Sequence, residues 1–197
     1  MKKLTIGIDI DSVIADSIEL FIPYLNKRFN RNLALKDIVH YEFEKCYGVS
    51  QEEVLEVFKE LTRNNLWDKI KPLDYAEIFL EELSKFFSII IVTSRPEKHM
   101  RQMTARWLEK HKFKYDALLF MNEGDGDKYI TGKKNNYHFD LFIEDCLEFA
   151  LKILEYKIPV LIYDYPWNQC SDPRLIRVAN LKEALENIKK LFPFFYH

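Results

Sequence analysis

A short apolar run that stops at two acidic residues constrains this chain more than any other feature. Residues 4–10 are rich in leucine and isoleucine, and Asp9 and Asp11 close the run. This composition predicts a buried β-strand. In an extended chain, residues two apart point the same way and lie about 7 Å from each other. Both carboxylates can therefore face one spot beyond the end of the strand, which is where ligands bind in open α/β sheets.

Two carboxylates held this close repel each other unless a cation or a shared proton resolves the conflict. A hard divalent cation with oxygen ligands, Mg²⁺ foremost, would let one aspartate act as a nucleophile while the other serves as acid and base. The alternative is that the two acids only form a turn and cap the following helix, because short acidic motifs are common without a catalytic role.

The composition indicates a folded protein with no general affinity for polyanions. The chain has 197 residues, of which 48% are hydrophobic, so it can bury a full core as one α/β domain with an insertion or small cap. With 29 basic and 31 acidic residues, the net charge of −2 argues against binding to nucleic acid polymers or to an anionic membrane. No apolar run reaches the roughly 20 residues of a membrane helix.

The three cysteines are widely scattered along the chain, at positions 46, 146 and 170. They show neither the paired spacing of a disulfide framework nor that of a zinc site. We therefore expect free thiols and a cytoplasmic location.

Strand and helix patterns alternate along most of the chain. The predicted strands cover residues 4–10, 88–93, 117–121, 139–143 and 159–163, and the predicted helices cover residues 17–30, 74–87, 96–111, 129–136, 148–156 and 180–192. This alternation predicts an α/β fold with a doubly wound parallel sheet. The acidic, glycine-rich segment 123–127 lacks the spacing of a calcium loop and is predicted to be a turn.

A long helical excursion interrupts the alternation after the first strand. From residue 17 to residue 71 the pattern is helical and aromatic, and no strand intervenes. An insertion of about 50 residues far exceeds an ordinary crossover between strands. We therefore predict a helical cap subdomain over residues 17–71, with the α/β core formed by residues 1–16 and 72–197.

Four groups of polar residues lie next to the ends of the first, second and fourth predicted strands. They are Asp9 and Asp11 after the first strand, Thr93 and Ser94 after the second, Lys133 or Lys134 before the fourth, and Glu144 and Asp145 after the fourth. This order of motifs resembles the haloacid dehalogenase superfamily, whose members mostly transfer phosphoryl groups through an aspartyl-phosphate.

Within that superfamily, the stretch 9–17 is similar to the opening of the 5′(3′)-deoxyribonucleotidase group and its bacterial and phage relatives. The stretches 93–96, 142–145 and 164–168 are also similar to that group. Two residues depart from the common pattern, since Ser12 stands where many members have glycine and Glu144 where some have a second aspartate.

The resemblance implies a role for each of these groups. Asp9 is expected to attack phosphorus, and Asp11 to protonate the departing oxygen and later to activate water. Asp9, the backbone carbonyl of Asp11 and Asp145 are expected to hold Mg²⁺, which would screen the attack on a phosphomonoester dianion. The Thr93 hydroxyl and the Ser94 backbone are expected to hold phosphate oxygens.

Two basic groups are also candidates for contact with phosphate. Counting back from the fourth strand without gaps favours Lys134, with Lys133 and Lys128 as the alternatives. Arg95 either touches the phosphate or the sugar, or pairs with an acid.

Substrate choice is expected to lie in the cap. Trp67 foremost, with Phe43 and Tyr41, could stack on a nucleobase, because every base offers a π face. Phe58 is a further aromatic residue of the same segment. The alternative for each ring is packing in the core of the cap. The resemblance thus implies a nucleoside monophosphate as substrate, with a deoxyribonucleotide favoured, and it leaves a homodimer open.

Three other interpretations compete with a nucleotidase. A phosphate-accepting receiver module also places acids, a hydroxyl and a lysine around Mg²⁺, although receivers lack a cap. A phosphatase of the same superfamily could act on a sugar phosphate or another small metabolite. A catalytically weak nucleotide-binding protein is the third possibility.

Overall fold

The central feature of the computed structural model, which describes residues 3–122 and 124–193, is a parallel β-sheet. Within those residues its six strands are β1 (Leu4–Ile8), β2 (Phe87–Thr93), β3 (Ala117–Phe120), β4 (Leu141–Glu144), β5 (Val160–Tyr163) and β6 (Leu175–Val178). They lie in the order β3-β2-β1-β4-β5-β6, and each neighbouring pair is parallel. The predicted doubly wound α/β fold is confirmed.

Helices cover both faces of the sheet because its strands are apolar on both sides. In β2, Ile89 and Ile91 join one apolar cluster, whereas Ile90 and Val92 join a second. None of the helices in the described ranges is both long and apolar enough to cross a lipid bilayer. The α-helices are α1 (Ser17–Phe29), α2 (Phe43–Tyr47), α3 (Gln51–Arg63), α4 (Ala76–Ser84), α5 (Glu97–Lys110), α6 (Lys128–Lys134), α7 (Leu147–Glu155) and α8 (Leu181–Leu191).

The two central strands, β1 and β4, approach each other closely at a glycine. A Cβ atom on Gly7 would lie 2.1 Å from the ring of Phe142. No side chain fits there without displacing the ring. Glycine at position 7 therefore leaves room for the ring of Phe142 to lie over β1. The strand order reverses between these strands, and ligands bind at such a point in open α/β sheets.

The segment between β1 and α4 leaves the sheet and returns to it at one place. The Asp16 backbone N–H donates to the Lys71 carbonyl at 2.8 Å, and an antiparallel bridge pairs Ala15 with Pro72. Asp16 also caps α1 through its side chain, which accepts from the Glu19 backbone N–H. Between these two points the chain forms α1, α2 and α3 with short 3₁₀ turns at residues 35–37 and 66–69.

Two elements differ from the sequence prediction. Strand β1 ends at Ile8, because the Ile10 carbonyl accepts three backbone N–H groups from residues 13–15 and the chain turns there. Ser12 in this turn has a φ of 61°, in the left-handed region that glycine tolerates best. Strand β6 was not predicted, because its four residues include Arg177 and carry little pattern of their own.

Candidate active site

Three buried carboxylates lie together at the carboxyl ends of the two central strands. Asp9 follows β1, Glu144 ends β4 and Asp145 comes directly after it. One oxygen from each side chain lies within 4.8 Å of the others. The cluster therefore sits where the strand order reverses, at the edge of the sheet that the sequence predicted.

A buried lysine partly balances this negative charge. The Lys128 Nζ lies 2.8 Å from Asp9 Oδ1, and 2.8 and 3.0 Å from the two carboxylate oxygens of Glu144. Its side chain is fully buried. Lys128 is the first residue of α6, and Asp127 caps that helix by accepting from the Ile130 N–H at 2.8 Å.

Of the three candidate lysines, the structure places Lys128 beside the acids, and not the favoured Lys134 or its alternative Lys133. Both side chains are exposed on the last turn of α6, and Lys134 pairs with Asp125. Counting back from the fourth strand without gaps favoured a lysine at the end of α6. In the structure it is the first turn of α6 that faces the acids. The Asp127 cap directly before Lys128 is the sequence signal that could have identified it, since it places that lysine at the start of a helix.

Burial dominates the electrostatics of the acid cluster. Burial, reinforced by the neighbouring charges of Glu144 and Asp9, raises the pKa of Asp145 well above its usual value. Burial also raises the pKa of Glu144 to about 8, and raises the pKa of Asp9 although Lys128 opposes that change. For Lys128, burial acts against the charge, but Asp9 and Glu144 raise its pKa. Three acids thus share one buried cation.

The donor set fits a magnesium ion. Asp145 Oδ1 is buried and has no hydrogen-bond partner among the described residues. This oxygen is therefore available to bind a cation. All the available donors are carboxylate oxygens, which are the ligands of hard divalent cations. The carboxylate cluster includes Glu144, which the sequence prediction omitted as a ligand, and not the side chain of Asp11. The predicted contribution of the Asp11 backbone carbonyl stays a prediction.

Two residues after β5 hold Asp145 in place and were not predicted as part of the site. The Trp167 indole N–H and the Asn168 side-chain amide both donate to the Asp145 carbonyl, at 3.2 and 2.7 Å. Asn168 is fully buried and donates to the Tyr163 carbonyl as well. The stretch 164–168 therefore links the end of β5 to the acid cluster.

The Asp11 side chain is bound by an arginine. Arg95 Nε donates to one carboxylate oxygen at 2.7 Å and Nη2 to the other at 2.6 Å, while the Ser17 hydroxyl also donates to Asp11. Burial opposes ionisation of Asp11, but the Arg95 guanidinium and the Ser17 hydroxyl outweigh it and lower the pKa of the carboxyl. Of the alternatives for Arg95, the structure shows the pairing with an acid and not a free phosphate ligand.

The two hydroxyl residues after β2 differ in exposure. Thr93 is buried, and its Oγ1 accepts a hydrogen bond from the Arg95 backbone N–H at 3.2 Å. Ser94 is exposed and lines the same cavity as Asp9 and Asp11. Their predicted contacts with phosphate stay a prediction.

A cavity of about 700 Å³ opens above these residues. Its walls come largely from the segment between β1 and α4, including Tyr41, Phe43 and Trp67, and its floor includes Asp9 and Asp145. The structure thus brings the three predicted cap residues to the same space as the acids. A bound molecule could present a phosphate to the floor and an apolar part to the walls.

The three aromatic residues offer very different amounts of surface to this cavity. Trp67 is only 8% exposed, its ring packs edge-on against Phe21 at 5.1 Å, and the Arg95 guanidinium lies 4.9 Å from its centroid. Phe43 is half-buried, whereas Tyr41 is 41% exposed. Burial around its hydroxyl, with the nearby charge of Asp145, raises the pKa of Tyr41 well above its usual value. The expectation that Trp67 is the foremost stacking residue does not fit this packing.

Comparison with known proteins gives consistent matches. A sequence model of the family described as 5′ nucleotidase, deoxy (pyrimidine), cytosolic type C protein matches residues 2–192. A nucleotidase of Clostridium acetobutylicum is 31% identical over 193 residues, which are 98% of this chain and 97% of the relative. A 5′(3′)-deoxyribonucleotidase of Bacillus subtilis is 24% identical over 93% of this chain and 96% of the relative.

Among solved structures, a haloacid dehalogenase-like hydrolase from Streptococcus pneumoniae aligns with a TM-score of 0.70 at 18% identity. The alignment covers 94% of this chain and 98% of that protein. At this identity the match concerns the fold, which is the same α/β architecture.

Proposed function

The chain belongs to the family of 5′ nucleotidase, deoxy (pyrimidine), cytosolic type C proteins, and from this membership we propose that it removes the phosphate from nucleoside monophosphates, with deoxyribonucleotides favoured. It is a phosphatase of the haloacid dehalogenase superfamily, which excludes the receiver module. Mg²⁺ dependence, an aspartyl-phosphate intermediate and the nucleotide substrate are the further parts of the proposal.

The observation that carries the proposal is the position of the acid cluster beneath a large apolar cavity. Asp9 and Asp145 form part of its floor, and Tyr41 and Phe43 form part of its wall. A sugar phosphate has nothing apolar to place against such a wall, whereas a nucleotide has a flat base. This argument favours a nucleotide over the other small metabolites considered.

We propose that residues 17–71 act as the cap that supplies this wall. The segment begins and ends at one point of the core, where Ala15 bridges Pro72. A segment whose two chain connections to the core lie together can shape the space above the strand ends without altering the sheet.

In the first chemical step, a carboxylate oxygen of Asp9 forms a bond to phosphorus while the bond from phosphorus to the leaving oxygen breaks. Asp11 must first take up a proton, because Arg95 and Ser17 favour its carboxylate form; it then gives that proton to the leaving oxygen, so the nucleoside departs as a neutral alcohol. The Lys128 ammonium, 2.8 Å from Asp9, lies where it can offset negative charge during the attack. Thr93 and Ser94 are proposed to hold the other phosphate oxygens.

In the second step, Asp11 takes a proton from water, and the water oxygen attacks the phosphorus of the aspartyl-phosphate. The bond between Asp9 and phosphorus breaks, which releases inorganic phosphate and restores the Asp9 carboxylate. Asp9, Glu144 and Asp145 are the side chains that would hold Mg²⁺, directly or through water. A bound Mg²⁺ would supply charge neutralisation and orientation of the phosphate.

We also propose a cytoplasmic location, which the three free thiols support.

The decisive experiment measures phosphate release from a panel of nucleoside monophosphates, sugar phosphates and p-nitrophenyl phosphate, with Mg²⁺ and after treatment with EDTA. We expect nucleotides to have the highest kcat/KM and EDTA to remove the activity. Faster hydrolysis of a sugar phosphate than of every nucleotide would overturn the substrate assignment. Full activity after thorough metal removal would overturn the metal assignment.

A further inference from the structure

Arg95 is buried between the acid Asp11 and the wall of the cavity. It is only 5% exposed, and three of its nitrogens have side-chain partners. Nε and Nη2 bind the two oxygens of Asp11, and Nη1 donates to Thr104 Oγ1 at 3.2 Å. The fork-to-fork geometry with Asp11 fixes the plane of the carboxylate as well as its position.

The same guanidinium lies over the ring of a residue of the 17–71 segment. Its central carbon is 4.9 Å from the centroid of the Trp67 ring. Trp67 is itself fixed, because its indole N–H donates to Thr62 Oγ1 at 3.0 Å and its ring packs against Phe21. A desolvated contact between a guanidinium and an indole is attractive as well as close.

We infer that Arg95 is a positioning residue, which orients Asp11 for proton transfer and couples that orientation to Trp67 in the wall of the cavity. This inference rests on the proposed function, in which Asp11 is the acid and base. It assigns Trp67 a role through Arg95 and not as a stacking partner of the base.

The contacts of Arg95 determine which kinetic constant a change should affect. Nε and Nη2 bind Asp11, Nη1 binds Thr104 and the guanidinium lies over Trp67, so Arg95 has little capacity left to bind the substrate phosphate. Loss of the fork should therefore slow the chemical step and leave substrate binding nearly unchanged. The loss should be larger for a nucleotide than for p-nitrophenyl phosphate, because an alkoxide leaving group needs the proton from Asp11 and p-nitrophenolate hardly does.

The test compares Arg95→Lys with Arg101→Lys. Lysine keeps the charge but cannot reproduce the fork, and Arg101 is an exposed arginine of α5, the helix that follows Arg95, where it pairs with Glu97. We expect Arg95→Lys to lower kcat for a deoxynucleoside monophosphate by about 100-fold, the order seen when a reacting group is misplaced. The KM should change little, and Arg101→Lys should behave like the wild type.

Trp67→Leu provides a second variant that leaves the ion pair in place. We expect it to lower kcat for deoxyribose 5-phosphate, which has no base, by the same factor as for a nucleotide. Combined with Arg95→Lys, it should lower kcat by a much smaller further factor than it does alone, because both changes act on the orientation of Asp11.

Besides an Arg95→Lys variant as active as the wild type, three outcomes would overturn the inference. They are a raised KM with unchanged kcat in Arg95→Lys, a loss in Trp67→Leu that is confined to substrates with a base, and full additivity of the two changes. The wild-type protein separates this test from that of the proposed function: if it hydrolyses no phosphomonoester, the proposed function fails, whereas an active wild type with an equally active Arg95→Lys variant refutes only the role of Arg95.

Discussion

The Nζ of Lys128 lies 2.8 Å from Oδ1 of Asp9, and both side chains are buried. Lys128 also contacts Glu144, so it is the cation around which the acid cluster is built. Burying charges is costly unless each is paired. The contact therefore joins the stability of the protein to the site of the proposed chemistry.

We predict that Lys128→Met destabilises the protein by about 3 kcal/mol, because it leaves buried carboxylates without their partner. Lys133→Met is the matched control, since Lys133 is exposed on the same helix and should change stability by less than about 0.5 kcal/mol. Urea unfolding in the presence of EDTA measures both. Equal unfolding free energies for the two variants would show that the buried ion pair contributes nothing.

We predict that Asp9→Asn lowers kcat by at least about 10³-fold, as expected when a nucleophile is removed. The fold should persist, because the change removes one of three like charges in the cluster. Steady-state hydrolysis of p-nitrophenyl phosphate measures the loss, and phosphate label that hydroxylamine removes should appear on the wild type alone. Asp74→Asn, at an exposed position, is the control. An Asp9→Asn variant that keeps the label would place the nucleophile elsewhere.

The sequence allowed five of the six strands to be predicted, because each is an apolar run followed by a turn. β6 escaped prediction since the partner that defines it is β5. Four residues that include Arg177 become a strand only through that pairing. The extent of the helices in the 17–71 segment depended on packing in the same way.

Site residues that directly follow a strand were predicted better than the other residues of the candidate site. Asp9 and Asp145 directly follow strands, so predicting the strands also predicted where these two residues lie. Lys128 and Arg95 could not be placed in this way. The position of Lys128 depends on where α6 begins, and the partner of Arg95 is 84 residues away. The Asp127 cap marks where α6 begins, but no local pattern identifies the distant partners of Lys128 and Arg95.

We predict that Mg²⁺ stabilises the protein, because a cation at the cluster relieves repulsion among Asp9, Glu144 and Asp145. At 100 times its dissociation constant the gain should be about 2.7 kcal/mol. Thermal unfolding with Mg²⁺ and with EDTA measures it. Asp145→Asn should raise the melting temperature in EDTA, since it removes a buried charge, and reduce the response to Mg²⁺. An undiminished Mg²⁺ response in this variant would exclude Asp145 as a ligand.

The last prediction concerns recognition of the base. Tyr41 is 41% exposed and lines the cavity, and among the three predicted cap residues it offers the most open ring. Tyr41→Ala should therefore lower kcat/KM for deoxynucleoside monophosphates by a factor that corresponds to about 1 to 3 kcal/mol, the stacking energy of one base. Deoxyribose 5-phosphate should be hydrolysed as before, because it has no base to stack.

Tyr41→Phe separates the ring from the hydroxyl, which lies near the charge of Asp145. If the ring stacks on the base, the phenylalanine variant keeps nearly all the activity towards nucleotides. A loss of the same size in both variants, shared by nucleotides and deoxyribose 5-phosphate, would mean that Tyr41 acts on the acid cluster through its hydroxyl. Recognition of the base would then fall to Phe43, the other predicted cap residue with surface in the cavity, because the guanidinium of Arg95 already lies over the ring of Trp67.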